Sequence, residues 1–372
     1  MKNKFFCPFP WNHLMFKSNG RVQACCETYE HQFDPGGATI AEIANHPIIK
    51  QLRLDILDPD KVPDMCWKCE NREQVLGTSV RMNTALMHKH WDEESAKQAT
   101  NADGSMDNFH LEHLDIRWSN LCNYKCRFCH LGSSNLWLKE TQMLGQYVSD
   151  AYNPKTGIAE YDMDWEDLKT HLPYVRYVKL AGGEPAIMPG TYQLLEELIR
   201  IGNTKKAKLT LITNATTLQY GKYDLIGLMS EFDICKVQMS MEGMGIRHEW
   251  ARSGKKDWDT IAENIQQLKD IRAIRVAYKS KYQGFSDNFD SYFIGVEHIL
   301  YVIFDMEGKF IEHLRQNGLD TLYAKDIIET HVLETSIPPT DQIKNIINPY
   351  TLMENALEHI LNGIQRVKKL KK

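Results

Sequence analysis

The sequence contains no hydrophobic segment long enough to cross a membrane. Its longest uninterrupted apolar run, Ile299 to Phe304, has six residues, whereas a membrane-spanning helix needs about 20. The amino-terminal segment also lacks the continuous apolar core and the small-residue cleavage site of a secretory signal. We therefore expect a cytoplasmic protein without a membrane partner.

An excess of basic charge is also absent. The 44 Lys and Arg residues are outnumbered by 49 Asp and Glu, and the formal net charge is −5. Dedicated nucleic-acid binders normally show a basic patch, so nucleic acid is not expected as a partner. Repeats and low-complexity tracts are lacking as well, which excludes fibrous and solenoid architectures. With 372 residues, of which 42% are hydrophobic, the chain is expected to be globular.

The nine cysteines are too few for a disulfide scaffold. In a reducing compartment, clustered thiols more often hold a metal or perform redox chemistry. The cysteines form two groups, with Cys235 outside both. They are Cys7, Cys25, Cys26, Cys66 and Cys69 in the first group, and Cys122, Cys126 and Cys129 in the second. The sequence therefore predicts two separate cysteine sites.

Residues 91–110 are polar and turn-forming, which is typical of an exposed connector. After them, short β-rich runs alternate with amphipathic helical segments, and this alternation predicts an α/β fold with a parallel sheet. Residues 272–296 fit no simple element, and residues 351–370 have helical periodicity. The predicted strands are His113–Trp118, Val175–Leu180, Ala207–Thr213, Lys236–Met241, His298–Phe304 and Leu322–Glu334.

The second cysteine group follows the first of these strands. Cys122, Cys126 and Cys129 lie within eight residues, in a loop at the carboxyl end of a strand, where α/β proteins carry their chemistry. Three closely spaced thiolates suit an iron–sulfur cluster that keeps one iron open. A structural zinc ion normally takes a fourth protein ligand, which His130 could supply. Iron–sulfur and zinc both remain open on these residues alone.

The Cys-x3-Cys-x2-Cys spacing, with the aromatic Phe128 before the last cysteine, resembles the signature of the radical S-adenosylmethionine (SAM) enzymes. At the end of the second strand, Gly182-Gly183-Glu184-Pro185 is similar to the motif that contacts the SAM amino group in that family. Paired glycines allow a close approach of the backbone, and a carboxylate can accept a hydrogen bond from an ammonium group. A simple tight turn is the alternative interpretation of these four residues.

Segments at the next two strand ends extend the resemblance. Thr213-Asn214 stands where the family often has Thr-Asn-Gly, and Ser240-Met-Glu242-Gly resembles its Ser-x-Asp-Gly segment. The resemblance implies that Ser240 faces SAM and that Glu242 lies near SAM or the substrate. Arg252 resembles an arginine that helps to bind the SAM carboxylate, although it could also pair with a surface acid.

The resemblance implies a partial (β/α)6 TIM-like barrel with a [4Fe–4S] cluster on Cys122, Cys126 and Cys129. The open iron of such a cluster chelates SAM, and electron transfer yields methionine and a 5′-deoxyadenosyl radical that abstracts hydrogen from the substrate. The electron is expected from a donor such as flavodoxin or ferredoxin. The protein would position the reactants and exclude water, because the cofactor carries the difficult chemistry.

The first cysteine group offers four thiols in two arms, which suits a single metal centre. Asn19-Gly20 is a hairpin signal that predicts pairing of Leu14–Lys17 with Arg21–Ala24. The segment resembles the twitch domain, a shortened relative of the SPASM domain, and this resemblance implies an auxiliary iron–sulfur cluster. A zinc ribbon is the alternative, and Cys26 is expected to be a spare thiol. The implied ligands are Cys7, Cys25, Cys66 and Cys69.

We therefore predict a twitch-like domain over residues 1–90, a linker over 91–110, a radical SAM partial barrel over 111–335 and a helical extension over 336–372. The expected activity is that of a radical SAM oxidoreductase or maturase that oxidises or cross-links a peptide or protein. A radical SAM dehydrogenase of a sugar-like molecule and a non-catalytic zinc-binding interaction protein are the alternatives.

Overall fold

The computed structural model describes residues 5–241, 245–252, 258–271 and 274–279. Their strands are β1 His13–Phe16, β2 Val22–Gln23, β3 His113–Ile116, β4 Tyr177–Leu180, β5 Lys208–Thr213, β6 Gln219–Tyr220, β7 Tyr223–Asp224, β8 Ile234–Ser240 and β9 Ile274–Lys279. Their helices are α1 Phe9–Asn12, α2 Ile40–Ala44, α3 Pro47–Leu57, α4 Trp67–Leu76, α5 Val80–Met87, α6 Glu93–Ala99, α7 Leu138–Met143, α8 Trp165–His171, α9 Pro189–Arg200, α10 Leu225–Ser230, α11 Gly245–Ala251 and α12 Trp258–Asp270. Within these ranges, none of the helices has the length and apolar composition needed to span a bilayer.

The main sheet has the strand order β2-β1-β3-β4-β5-β8-β9 in the described part of the chain. All neighbouring strands run parallel except β2, which is antiparallel to β1. This confirms the α/β prediction of a parallel sheet. The carboxyl ends of the parallel strands therefore meet at one edge, and the loops that follow them are brought together.

The two faces of the sheet differ in polarity. One face carries apolar side chains that are 1% exposed or less, such as Leu114, Val178 and Val237, and these share one hydrophobic core with buried residues of α9. The other face carries a row of polar residues in register, with Asp115 beside Lys179. This alternation follows from the period of two in the strands. The polar face is thus available for side-chain chemistry.

The amino-terminal segment contributes to the same sheet. The predicted hairpin at Gly20 is confirmed, because β1 and β2 pair around a turn in which Gly20 has φ +81°. On its other side, β1 pairs with β3 in parallel over four residues. The sheet therefore continues from the first cysteine group to the second, and the expected boundary at 91–110 does not coincide with a break in it.

The segment predicted to be an exposed connector is partly folded. It contains α6, whose amino end has a capping box formed by Asp92 and Ser95, and Ala96 is fully buried. The buried Arg53 guanidinium donates a hydrogen bond of 3.1 Å to the carbonyl oxygen of Gly104. The apolar residues that the segment buries, Ala96, Met106 and Phe109, are scattered and show no hydrophobic periodicity, and this explains why its polar composition predicts an exposed connector.

One further difference concerns the part of the chain after α12. Strand β9 lies within residues 272–296, for which the sequence predicts no element, and it pairs in parallel with β8. The strands predicted at 298–304 and 322–334, and the helix predicted at 351–370, lie outside the described residues.

Candidate active site and cysteine centres

The loop after β3 carries the second cysteine group and is fixed by buried amides. Asn120 is fully buried, and its side chain donates to the carbonyl oxygens of Leu131 at 2.7 Å and Gly157 at 2.8 Å. The Asn135 side chain accepts a hydrogen bond from the Cys122 backbone at 3.1 Å. These contacts close the loop and set the position of the first thiol. Sequence reasoning did not single out either asparagine.

The three thiols are held in a partly desolvated group. Cys126 is 4% exposed, and Cys122 and Cys129 are half-buried. The pKa of the Cys122 thiol is raised to about 12, chiefly by burial and next by the nearby Glu184 carboxylate. Thiolates at Cys126 and Cys129 would add to this effect, because like charges repel. A positively charged metal centre would relieve both costs, so this donor set fits a metal cluster.

Helix α11 brings Arg252 to the cysteine loop. A guanidinium nitrogen of Arg252 donates to the Cys126 sulfur at 3.4 Å, and the guanidinium lies 5.3 Å from the centre of the Phe128 ring. Arg252 is only 7% exposed, which is inconsistent with the alternative of a surface ion pair. Arg127 fixes the end of the helix by donating to the Trp250 carbonyl oxygen at 2.8 Å.

Glu184 connects two strand ends from a fully buried position. One carboxylate oxygen accepts from the Thr213 hydroxyl at 2.6 Å and from the Ala186 backbone at 3.1 Å. The other oxygen accepts from the Asn214 backbone at 2.7 Å. Burial raises the pKa of this carboxyl despite the three hydrogen bonds. Glu184 therefore fixes the loop after β4 to the loop after β5, and Pro185 is buried beside it.

The paired glycines pack against the cysteine loop. A Cβ atom at Gly183 would lie 2.0 Å from the Leu121 carbonyl oxygen. Gly182 has φ +106°, and a Cβ there would lie 2.9 Å from the Cβ of Arg117. The space beside Gly183 is thus filled by the chain's own backbone.

The loop after β5 keeps a glycine-like conformation without glycine. Ala215, at the position where the family often has glycine, has φ +58°, which only glycine adopts at no cost. Its backbone N–H donates to the Thr213 hydroxyl at 3.0 Å. The Asn214 side chain donates to Asn123 of the cysteine loop at 2.8 Å. Thr213 and Asn214 therefore both reach the candidate site. Ser240 ends β8, and Glu242 lies outside the described residues.

The first cysteine group also converges in space. The four sulfur-bearing residues predicted as ligands line one cavity together with apolar side chains such as Leu52 and Ile56: Cys7, Cys25, Cys66 and Cys69. Burial raises the pKa of the Cys66 thiol to about 12, and the pKa of Cys7 is raised by burial and by Cys66 and Cys69. The set therefore fits a metal centre by its donor chemistry. Cys26 does not line this cavity.

A charged pair joins the two arms of this cavity. Arg81 forms a two-point ion pair with Glu73 of α4, and Ser79 also donates to that carboxylate. Arg81 also donates to the carbonyl oxygen of Phe6 at 3.2 Å. The segment after Cys69 is thereby tied to the segment that carries Cys7.

Comparison with known families identifies part of the chain. Residues 116–280 match the model of the radical SAM superfamily. This stretch is therefore similar to a radical SAM domain. This match covers the cysteine loop and the later motifs up to Arg252. Among curated proteins, none matches the sequence.

Solved structures with bound S-adenosylmethionine are similar to parts of this chain. anSMEcpe with bound AdoMet has 20% identity over 43% of this chain and 38% of its own, with a TM-score of 0.29. SuiB from Streptococcus suis, bound to S-adenosylmethionine, has 17% identity over 86% of this chain and 71% of its own, with a TM-score of 0.29. The chain spans 38% to 58% of the anSMEcpe chains that it matches.

Proposed function

We propose that the protein is a radical SAM enzyme that binds a [4Fe–4S] cluster through Cys122, Cys126 and Cys129 and uses SAM to oxidise or cross-link a peptide. The observation that carries this proposal is the joining of four motifs at one sheet edge. Glu184 connects the loops after β4 and β5, Asn214 contacts the cysteine loop, and Arg252 reaches the Cys126 sulfur. A non-catalytic zinc site would not require these connections.

When bound, the cluster supplies the electron that cleaves SAM to methionine and a 5′-deoxyadenosyl radical. The described residues prepare the place for it. Asn120 and Asn135 hold the loop, and the Arg252 guanidinium stabilises negative charge on the Cys126 sulfur. Arg252 is also the candidate partner of the SAM carboxylate, and the end of β8 at Ser240 is the candidate SAM-facing position. Thr213 and Asn214 support the site through Glu184.

The amino-terminal cavity is proposed to hold an auxiliary iron–sulfur cluster on Cys7, Cys25, Cys66 and Cys69. Four thiols complete the coordination of such a cluster, so SAM would not bind there. A closed cluster can accept the electron left on a substrate radical after hydrogen abstraction. This reasoning favours an oxidised or cross-linked peptide as the product, with flavodoxin or ferredoxin as the electron donor.

The proposal is tested by replacing Cys126 with alanine and purifying the protein without oxygen. We expect loss of about four iron atoms per chain and loss of 5′-deoxyadenosine formation from SAM and dithionite. Cys235→Ala is the matched control, because Cys235 lies in β8 outside both cysteine groups. Wild-type 5′-deoxyadenosine formation by Cys126→Ala, or a wild-type protein that contains zinc and no iron, would contradict the proposal.

A further inference from the structure

A third group of ligating side chains lies at the opposite edge of the sheet. His88 follows α5, His90 comes two residues later, and Glu112 directly precedes β3. One ligand atom from each lies within 4.8 Å of the other two, and in the part of the chain that the structure describes only this group of three meets that limit. Because β3 ends before the cysteine loop, this group at its amino end is separate from the candidate active site.

The Glu112 carboxylate is at the centre of the group. One of its oxygens lies 2.6 Å from Nε2 of His90 and 3.9 Å from Nδ1 of His88. The other oxygen accepts from the Trp91 indole N–H at 3.1 Å. A carboxylate held between two imidazole rings and an indole N–H is a suitable metal ligand.

His88 supplies a second, independent indication of a ligand. Its side chain is fully buried, and its Nδ1 atom has no hydrogen-bond partner among the described residues. Its Nε2 atom lies 3.3 Å from Nδ1 of His113. If Nε2 carries the proton and donates it to His113, the Nδ1 lone pair faces Glu112. Two acceptors that face each other across 3.9 Å are stabilised by a cation between them.

We propose that His88 Nδ1, His90 Nε2 and a Glu112 oxygen bind a divalent transition-metal ion of the zinc class. Two imidazoles and one carboxylate are ligands that such ions accept, with a fourth position left for water. His90 is 40% exposed, so the fourth position has access to solvent. His113 would act as the outer partner that orients the His88 ring, as is usual for metal-bound histidines.

Arg176 gives the proposal a quantitative test. Its guanidinium nitrogen lies 3.6 Å from the Glu112 oxygen, and its side chain is 58% exposed. A cation at this distance competes with a metal for the carboxylate, but an exposed arginine can turn toward solvent. Removing this charge is expected to tighten metal binding about three- to tenfold, because the repulsion between like charges is lost.

The site would fasten the chain after α5 to the start of β3. The chain from Cys66 and Cys69 runs through α4 and α5 to His88. A metal ion here would thus hold the segment that follows the first cysteine group against the central sheet. The inference does not depend on the proposed enzymatic function, because none of its ligands belongs to either cysteine group.

The experiment uses the full chain with its iron–sulfur sites reconstituted. The protein is dialysed against zinc, and zinc and iron are measured on the same sample. Zinc K-edge absorption then separates the sites, because Zn–N and Zn–O distances are about 2.0 to 2.2 Å whereas Zn–S is about 2.3 Å. The variants are His90→Ala and Arg176→Gln. His110→Ala is the matched control, because His110 stacks on Tyr174 outside the group.

We expect one zinc per chain with nitrogen and oxygen ligands in the wild type and in the control. His90→Ala should lose that zinc or bind it at least tenfold more weakly, and Arg176→Gln should bind it more tightly. Zinc bound through sulfur alone, or equal zinc in wild type and His90→Ala, would overturn the proposal. These outcomes are independent of SAM cleavage, so the zinc measurement tests this site even if the proposed enzyme function is wrong.

Discussion

Replacing Gly183 with alanine is expected to disrupt the cysteine loop. The new Cβ would lie 2.0 Å from the Leu121 carbonyl oxygen and 2.6 Å from the carbonyl carbons of Asn120 and Leu121. Ordinary carbon contacts are about 3.5 Å or longer, so the two backbones would have to separate by roughly 1 Å or more. Backbone atoms cannot rotate away as a side chain can.

That separation would break two hydrogen bonds. Gly183 N–H donates to the Ser119 carbonyl oxygen at 3.1 Å, and Glu184 N–H donates to the Leu121 carbonyl oxygen at 2.8 Å. Each such bond contributes about 1 kcal/mol, and buried groups left unpaired cost more. Together with the steric strain, we expect a loss of about 3 to 5 kcal/mol in the free energy of unfolding.

The assay is anaerobic urea denaturation followed by tryptophan fluorescence, with iron content measured on the same preparation. Gly227→Ala is the control: it lies in α10, and the nearest atom to its new Cβ is the end of the Asp224 side chain. Its unfolding free energy should change by about 1 kcal/mol or less. A Gly183→Ala protein as stable as wild type but unable to bind SAM would refute this reasoning and assign the space to the ligand.

Three further predictions concern other parts of the fold. Glu184→Gln should lower the free energy of unfolding by about 2 to 3 kcal/mol, because the new amide N–H₂ must face a hydrogen-bond donor. Thr213→Val removes one of the donors to Glu184 and should cost only about 1 kcal/mol. Equal urea midpoints for wild type and Glu184→Gln would contradict the hydrogen bonds assigned to Glu184. Replacing Cys66 and Cys69 together by alanine should preserve 5′-deoxyadenosine formation but stop conversion of a peptide substrate, and full conversion would show that the amino-terminal site is structural. Burial lowers the pKa of His13 to about 4, so the folded state favours the neutral ring. The contribution of this ring to the free energy of unfolding is fully present above about pH 6.5 and is lost as the pH falls toward 4, with a loss of about 2 kcal/mol at pH 5. His13→Gln should show a weaker pH dependence of the urea midpoint, and an unchanged dependence would argue against this cause.

The parallel sheet was predictable because its strands show strong apolar periodicity and alternate along the chain with helices of ordinary length. Leu114, Val178 and Val237 alternate with polar neighbours in the sequence, and the structure buries them on one face. Strand β1 was predicted only as half of a hairpin. Its parallel pairing with β3 joins residues about 100 positions apart, and no local pattern reports a pairing over that distance.

The candidate site was predictable at its motifs and not in its supporting contacts. Sequence motifs indicated Cys122, Glu184 and Arg252. The role of Glu184 near SAM stays a prediction, and no motif indicated that its carboxylate accepts hydrogen bonds from Thr213 and Asn214. Asn120 was not predicted as a site residue, because the sequence alone does not distinguish a buried asparagine from an exposed one in a loop. Its importance depends on carbonyl oxygens supplied by the segment near Gly157.

The pairing of β1 with β3 has a consequence for biosynthesis. His13 leaves the ribosome about 100 residues before His113, its partner in the sheet, and at about 5 to 20 residues per second this interval is roughly 5 to 20 s. In the last part of that interval, after Cys69, all five amino-terminal cysteines have emerged while their sheet neighbour has not. Their thiols would then be open to oxidation or to a stray metal, so loading of the proposed auxiliary cluster is expected to require a carrier or a chaperone that protects the nascent chain.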